Sequence, residues 1–309
     1  MKNLMMLYGV TLGKRYTKRQ KEYFKAEIKE TYTGLGYPVR MQEGKNCSLA
    51  GGNMLAGDFS RSEVVFVAAY DTPARSIWPG IKYYPFHAEK NIREEKLNLV
   101  LRLIILSVLS LMVYLSLRLY YREKNFLLIF TALLCVIGAL AVVRTGANPL
   151  NFNLNSASLA VMGAVARNLN GNQGAAFVFL DHTAESYEGL KALKAVPGAE
   201  DKIMIILNCL ASGEKLIVAH GEGAKGMASQ LRQAAQKTGI ELTDKEYNKE
   251  KAEGNVLAFG EHMLYVVSGT VEKKEFTVKN VKTKKDIQVD IKRLENMAQA
   301  FTDFIDMKH

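Results

Sequence analysis

Asp71, Asp181, His182 and Glu185 are the residues whose types and placement could do chemistry. Carboxylates joined by one imidazole supply the anionic oxygen and neutral nitrogen donors that hold a single metal ion and acidify its bound water. Each stands just after an apolar run. Val64-Val65-Phe66-Val67-Ala68-Ala69-Tyr70 leads into Asp71-Thr72-Pro73, and residues 175–180 lead into Asp181-His182-Thr183-Ala184-Glu185. An apolar run bounded by turn residues predicts a strand covered on both faces, and ligands in open α/β sheets bind beyond the carboxyl ends of such strands. The same four residues also suit loops that are simply polar, as strand-end loops are in any α/β protein.

Other candidates carry less. His87, His220 and His262 have no ligand spacing. Gly221-Glu222-Gly223-Ala224-Lys225-Gly226 lacks the Lys-Ser/Thr ending of a phosphate loop and predicts a helix entry. No Gly-x-Ser-x-Gly elbow exists, and neither Cys47 nor Cys209 has a nearby histidine in sequence. Three cysteines without metal spacing predict neither a zinc knuckle nor a disulfide framework, and fit a reducing compartment.

The elements that must position these residues follow from periodicity. Residues 16–32 predict an amphipathic helix with Tyr23, Ile28 and Tyr32 on one face and Lys21, Lys25 and Lys29 on another. Residues 39–42 and 53–57 predict short strands before the 64–72 strand. Beyond the middle of the chain, strands at 175–180, 203–208, 215–219 and 263–268 alternate with helices at 155–169, 188–194, 225–238 and 291–305. That alternation predicts a three-layer αβα domain with a mixed, mostly parallel sheet.

Between the two halves the composition changes. Residues 103–117 and 126–143 carry no charge, and Arg118, Arg122, Glu123 and Lys124 lie between them. This predicts a transmembrane helical hairpin, with Arg102 and Arg118 reaching opposite interfaces. Core helices would show a polar stripe, which these runs lack. The organisation expected is residues 1–97 and 146–309 as two parts of one domain, interrupted by a hairpin at 98–145. An even number of spans leaves both parts on one side. Met1 to Val10 is not followed by a cleavage site, and Lys90, Arg93, Lys96, Arg102 and Arg144 lie on the domain side. A multi-pass membrane protein with a cytosolic globular domain is therefore expected.

In a chain of 309 residues with 48% hydrophobic residues, a sizeable core is expected. The net charge of +10 comes without any nucleic-acid motif, so attraction to acidic lipid is expected and nucleic acid is not.

The order of segments resembles the M28 zinc aminopeptidases. Asn53-Met54-Leu55-Ala56 matches the strand before that family's site, residues 65–72 its "AHYDT" strand, and 153–169 its "NDNASGVAALLELAR" helix. Residues 177–190 resemble "FVFFGAEEEGL", 205–208 "NLD", and 282–286 the "HTPxDT" turn. The resemblance implies a zinc-peptidase, phosphorylase/hydrolase-like fold with a two-zinc site at the strand ends. Taken residue by residue, it also implies that the ligands are missing. The first histidine falls on Ala69, the bridging aspartate on Leu154, the "NLD" aspartate on Asn208 and the last histidine on Lys282. The glutamate pair falls on Thr183-Ala184 or on Ser186-Tyr187. Asp71 alone matches, where its role would have been to orient the absent histidine.

The expectation is a membrane-anchored pseudo-peptidase without a cofactor and with a binding or scaffolding role, the former cleft being where a protein or peptide ligand would sit. One alternative is an active hydrolase with zinc relocated to Asp71, Asp181, His182 and Glu185. Another is a structural subunit whose second span packs against a partner helix through Gly138, Ala139 and Ala141.

Overall fold

The computed structural model describes residues 1–42, 52–144, 146–183, 188–247 and 260–308. Strand β3 (Val64–Ala69) lies in the middle of the sheet, flanked in parallel by β5 (Ala175–Leu180) and β6 (Ile203–Asn208). β9 (Met263–Glu272) continues the parallel ladder beside β6. Antiparallel strands finish the sheet. β1 (Val39–Met41) and β2 (Met54–Ala56) extend it beyond β5, while β10 (Glu275–Lys279) and β4 (Lys82–Tyr83) extend it beyond β9. β7 (Lys215–His220) pairs antiparallel with β9 and parallel with β8 (Leu242–Glu246).

The central strands are apolar throughout because both faces are covered. Along β3, Val64, Phe66 and Ala68 enter one core and Val65 and Val67 the other. β5 divides in the same way, with Ala175, Phe177 and Phe179 opposite Ala176, Val178 and Leu180. The first core is roofed by α1 (Lys2–Met6), α2 (Lys18–Gly34), α5 (Ala157–Leu169), α7 (Lys225–Lys237) and α8 (Ile291–Asp306). The second holds α6 (Glu188–Lys194) with Phe86, Tyr247 and Phe276. The chain is thus a three-layer mixed α/β fold with a mostly parallel central sheet, as expected.

Two helices stand apart. α3 (Ala88–Glu123) and α4 (Phe126–Val143) pack on each other, and in their apolar stretches only 6% and 11% of residues are buried. Both are long and apolar enough to cross a membrane. Asn125 caps α4 by accepting the Leu127 N–H at 3.0 Å, and Lys124 takes the left-handed conformation (φ 54°) that lets the chain reverse. Gly138, a candidate for contact with a partner helix, instead faces Leu109 of α3. α3 begins at Ala88, not near 98. Its first turns are docked on the domain, where Asn98 accepts the N–H groups of Ile77 and Trp78 at 3.0 and 3.3 Å.

α2 differs from its expected phase by one residue. Phe24, not Tyr23, joins Ile28 and Tyr32 in the core, and Tyr23 is exposed. Phe24 stacks on Tyr70 at 4.9 Å, which turns Lys21 inward too, away from the exposed row expected for it. The N-terminal residues, given no role from sequence, bury Leu4, Met5 and Tyr8.

Candidate functional site

β3, β5 and β6 end level with one another, with Ala69 opposite Leu180 and Ala68 opposite Leu207. Parallel strands in register deliver their following residues to one edge, and a small cleft of about 70 Å³ opens there. Ala69, Leu154, Thr183, Asn208 and Lys282 all line it. These residues come from five separate segments; Ala69, Leu154, Asn208 and Lys282 occupy positions matched above to metal ligands, and Thr183 belongs to one placement of the glutamate pair, whose Ala184 lies outside the described residues. Ser186 and Tyr187, the alternative placement of the glutamate pair, lie outside the described residues.

Leu154 is placed by a π-helical turn, Phe152–Ser156, that runs into α5. Buried Asp286 holds this turn, accepting the N–H groups of Asn153 at 2.7 Å and Leu154 at 3.3 Å. Burial pushes the Asp286 carboxyl up to about 7, against the opposing pull of those two N–H groups. Asn153 completes the clamp by accepting from Ala211 N–H at 2.8 Å and Ser212 N–H at 3.1 Å.

Among the described residues that line the cleft, Lys282 is the one charged side chain. The Asn208 amide donates to the hydroxyls of Tyr83 and Tyr265, at 3.0 and 3.1 Å. The Lys282 ammonium is paired with Glu95 on the domain-docked part of α3. Lys282 has φ +59°, and its carbonyl accepts the Ser76 N–H at 2.9 Å. Leu180, Leu190, Ile206 and Leu207 make the rest of the wall largely apolar. A methyl, an isobutyl, a hydroxyl, an amide held by two phenols and an ammonium do not fit a pair of zinc ions, which take carboxylate, imidazole and thiolate donors.

The four residues singled out for chemistry are placed as follows. Asp71 is buried at the end of β3 and accepts Thr183 N–H at 3.0 Å and Thr183 Oγ1–H at 2.9 Å. Its carbonyl accepts from the Asn155 amide. Asp181 is buried, 2.5 Å from Lys21 Nζ, and accepts the Tyr70 hydroxyl at 2.9 Å and the His182 N–H at 2.9 Å. Burial, and then the negative charge of Asp181, hold the Tyr70 hydroxyl well above its ordinary range. His182 is bent into φ +51°, with Nε2 3.8 Å from Asp181 Oδ2. Glu185 lies outside the described residues. Asp71 and Asp181 are thus spent on hydrogen bonds that hold the cleft's frame. Among the described residues no three His, Cys, Asp or Glu side chains gather as a metal ion would need.

Lys21, Glu95, Tyr83, Tyr265 and Asp286 were not read as site residues. Signals existed for two of them: Asp286 closes the 282–286 segment matched to the "HTPxDT" turn, and Lys21 adjoins a helical stripe. Phe24, Ile28 and Tyr32 repeat at i, i+4, i+8, and Lys21 falls three residues before that stripe. The others are joined to the cleft by contacts between distant segments.

No protein-family profile matches the chain, and no curated protein matches it. Solved structures do match. A glutaminyl cyclase from Tannerella forsythia superposes with a TM-score of 0.59 at 10% identity, covering 98% of this chain and 96% of that one. The LapA aminopeptidase of Legionella pneumophila gives 0.56 at 6% identity, over 98% of this chain and 68% of that one. The TET aminopeptidase of Thaumarchaeota archaeon SCGC AB-539-E09 gives 0.52 at 10% identity, over 98% and 95%. At such identities the likeness is one of fold. The chain therefore has the peptidase-like fold shared by aminopeptidases and glutaminyl cyclases, and two long apolar helices are present in it.

Proposed function

We propose that this protein is a membrane-anchored, catalytically inactive relative of the M28 aminopeptidases, whose cleft binds a protein or peptide instead of cutting one. The observation that carries this reading is the convergence of Ala69, Leu154, Thr183, Asn208 and Lys282 on one cleft. A frame that still brings four ligand positions together, with side chains that do not suit a pair of zinc ions, supports a binding site built on a hydrolase scaffold. The apolar wall suits hydrophobic side chains, while Asn208, Tyr83 and Tyr265 offer hydrogen bonds to a peptide backbone.

The anchoring half of the proposal rests on the exposed apolar surfaces of α3 and α4, which water would not tolerate over that length. The hairpin leaves the fold after the carboxyl end of β3 and returns before α5, so the cleft rim and the bilayer are neighbours. The cations on the domain side of the spans, Lys90, Arg93, Lys96, Arg102 and Arg144, support a cytosolic domain in this reading.

The test is metal content and turnover of the full chain purified in detergent. Well under one zinc per chain and no cleavage of aminoacyl reporter substrates are expected. Stoichiometric zinc, with activity abolished by chelator and by His182→Ala, would overturn this reading in favour of an active hydrolase with its metal held around Asp181, His182, Asp71 and Glu185.

A further inference from the structure

A second opening lies where the hairpin meets the domain. It is lined by Lys14, Arg75 and Arg144, with Ile105, Ala141 and Val142 forming its apolar wall on the side of the spans. The cations come from three segments: the loop before α2, the loop after β3 and the end of α4. Among the described residues no Asp or Glu lines the opening.

Its frame is built. Ala74 and Ala147 form an antiparallel bridge, and Arg75 N–H donates to the Gly146 carbonyl at 3.2 Å. Arg102 of α3 donates to the Arg75 carbonyl at 2.7 Å, fixing the backbone that presents the Arg75 side chain. Lys14 is fixed through its neighbour. Fully buried Arg15 donates to the carbonyls of Tyr8 at 2.7 Å and Tyr70 at 2.5 Å, and its backbone is bonded to Thr72 on both sides.

The level of the opening is set by sequence. The uncharged run of α3 begins directly after Arg102, and that of α4 ends directly before Arg144. Cations therefore sit at the edge of the apolar segments, and Ile105, Ala141 and Val142 lie about one turn inside it. Exposed Val108 and Met112, one and two turns beyond Ile105, continue the apolar surface away from the domain.

We propose that this notch binds the phosphate headgroup of an anionic glycerophospholipid, with the acyl chains lying along the α3–α4 surface. The inference rests on the membrane-anchored reading. Three cations around one open volume match a phosphodiester, and an apolar wall continuous with the spans matches the chains below it. A free anion would use the cations alone and leave that wall wet.

The test is native mass spectrometry of the full chain from micelles holding equal dioleoyl phosphatidylglycerol and dioleoyl phosphatidylcholine. Wild type is expected to retain the glycerol lipid over the choline lipid by roughly tenfold. Arg75→Gln with Arg144→Gln should erase the preference, and the two Lys replacements should keep it. Arg118→Gln with Arg122→Gln, at the far turn, should leave it unchanged. A preference untouched by the notch variants, or lost equally with the far-turn pair, would overturn the site. So would displacement of the lipid by millimolar inorganic phosphate but not by chloride at matched ionic strength, which would assign the notch to a free anion. Alkaline carbonate extraction separates the two readings. Release of wild type from membranes sinks the anchoring itself, whereas a retained chain without lipid preference sinks only the notch.

Discussion

Two lysine–carboxylate pairs flank the strand ends, and they differ in one respect. In the inner pair, Lys21 and Asp181 are 10% and 2% exposed, whereas in the outer pair Lys282 and Glu95 are 10% and 42% exposed. The inner pair is sealed beneath α2 and shared with Tyr70, so water cannot replace either partner. The outer pair joins the cleft to α3 with its carboxylate in solvent, so water can take the place of the lysine. Equal charge chemistry therefore makes a fixed strut in one place and a releasable tie in the other.

The largest expected effect is on the inner pair. Lys21→Met leaves Asp181 buried without its cation and should lower stability by about 3–5 kcal/mol, while adding Asp181→Asn should recover much of that loss. Thermal unfolding of the two variants in detergent measures this. A loss below about 1 kcal/mol for the single variant would mean that the inner pair is as well screened as the outer one.

Asp286 provides a third case, a buried carboxylate held by N–H groups. Its ordinary value is 3.8 and its value in the fold is about 7, so between these the native state holds a proton that the unfolded chain has released. Stability from this group is complete below the ordinary carboxylate range and is lost as pH rises through about 7. Asp286→Asn should remove that decline, which for a shift of this size is worth up to about 4 kcal/mol. Unfolding of both proteins from pH 4 to 8 shows it as converging curves at the acid end. Parallel curves would contradict it.

The smallest effect belongs to the outer pair. Glu95→Gln should cost only about 0.2–1 kcal/mol, and that cost should shrink in high salt. The Lys21→Met cost should be nearly independent of salt, so measuring both at low and high ionic strength sharpens the contrast. Equal salt dependence would erase it.

Much of the fold was legible because the central strands are covered on both faces. The apolar runs at 64–69, 175–180 and 203–208 leave no other assignment once turn residues bound them. The edges were harder. β8, Leu-Thr-Asp-Lys-Glu, and β10, Glu-Phe-Thr-Val-Lys, are short and largely polar, and β4 is two residues inside a polar connection. Such strands are defined by their partners more than by their own pattern. The cleft was legible as positions, since Ala69, Leu154, Asn208 and Lys282 could be placed by resemblance and the fold does gather them. What surrounds them was not. Glu95 reaches Lys282 from a helix expected to begin only near 98, and Tyr83 and Tyr265 meet Asn208 across the sheet. Tyr23 misled the phase of α2 because an aromatic residue next to the true stripe competes with it in any periodicity count.

The sheet order also dictates a timetable. β3 is made before the hairpin, but both of its neighbours, β5 and β6, are made after it. β2 likewise waits for β5, so before the hairpin emerges only the short β1–β2 pairing is available. A chain growing from the ribosome therefore commits α3 and α4 while the apolar β3 is still unpaired, and the domain closes only behind them. The contacts that join β3 to β5 and β6 span the whole hairpin, and the cleft between them needs residues made on both sides of it.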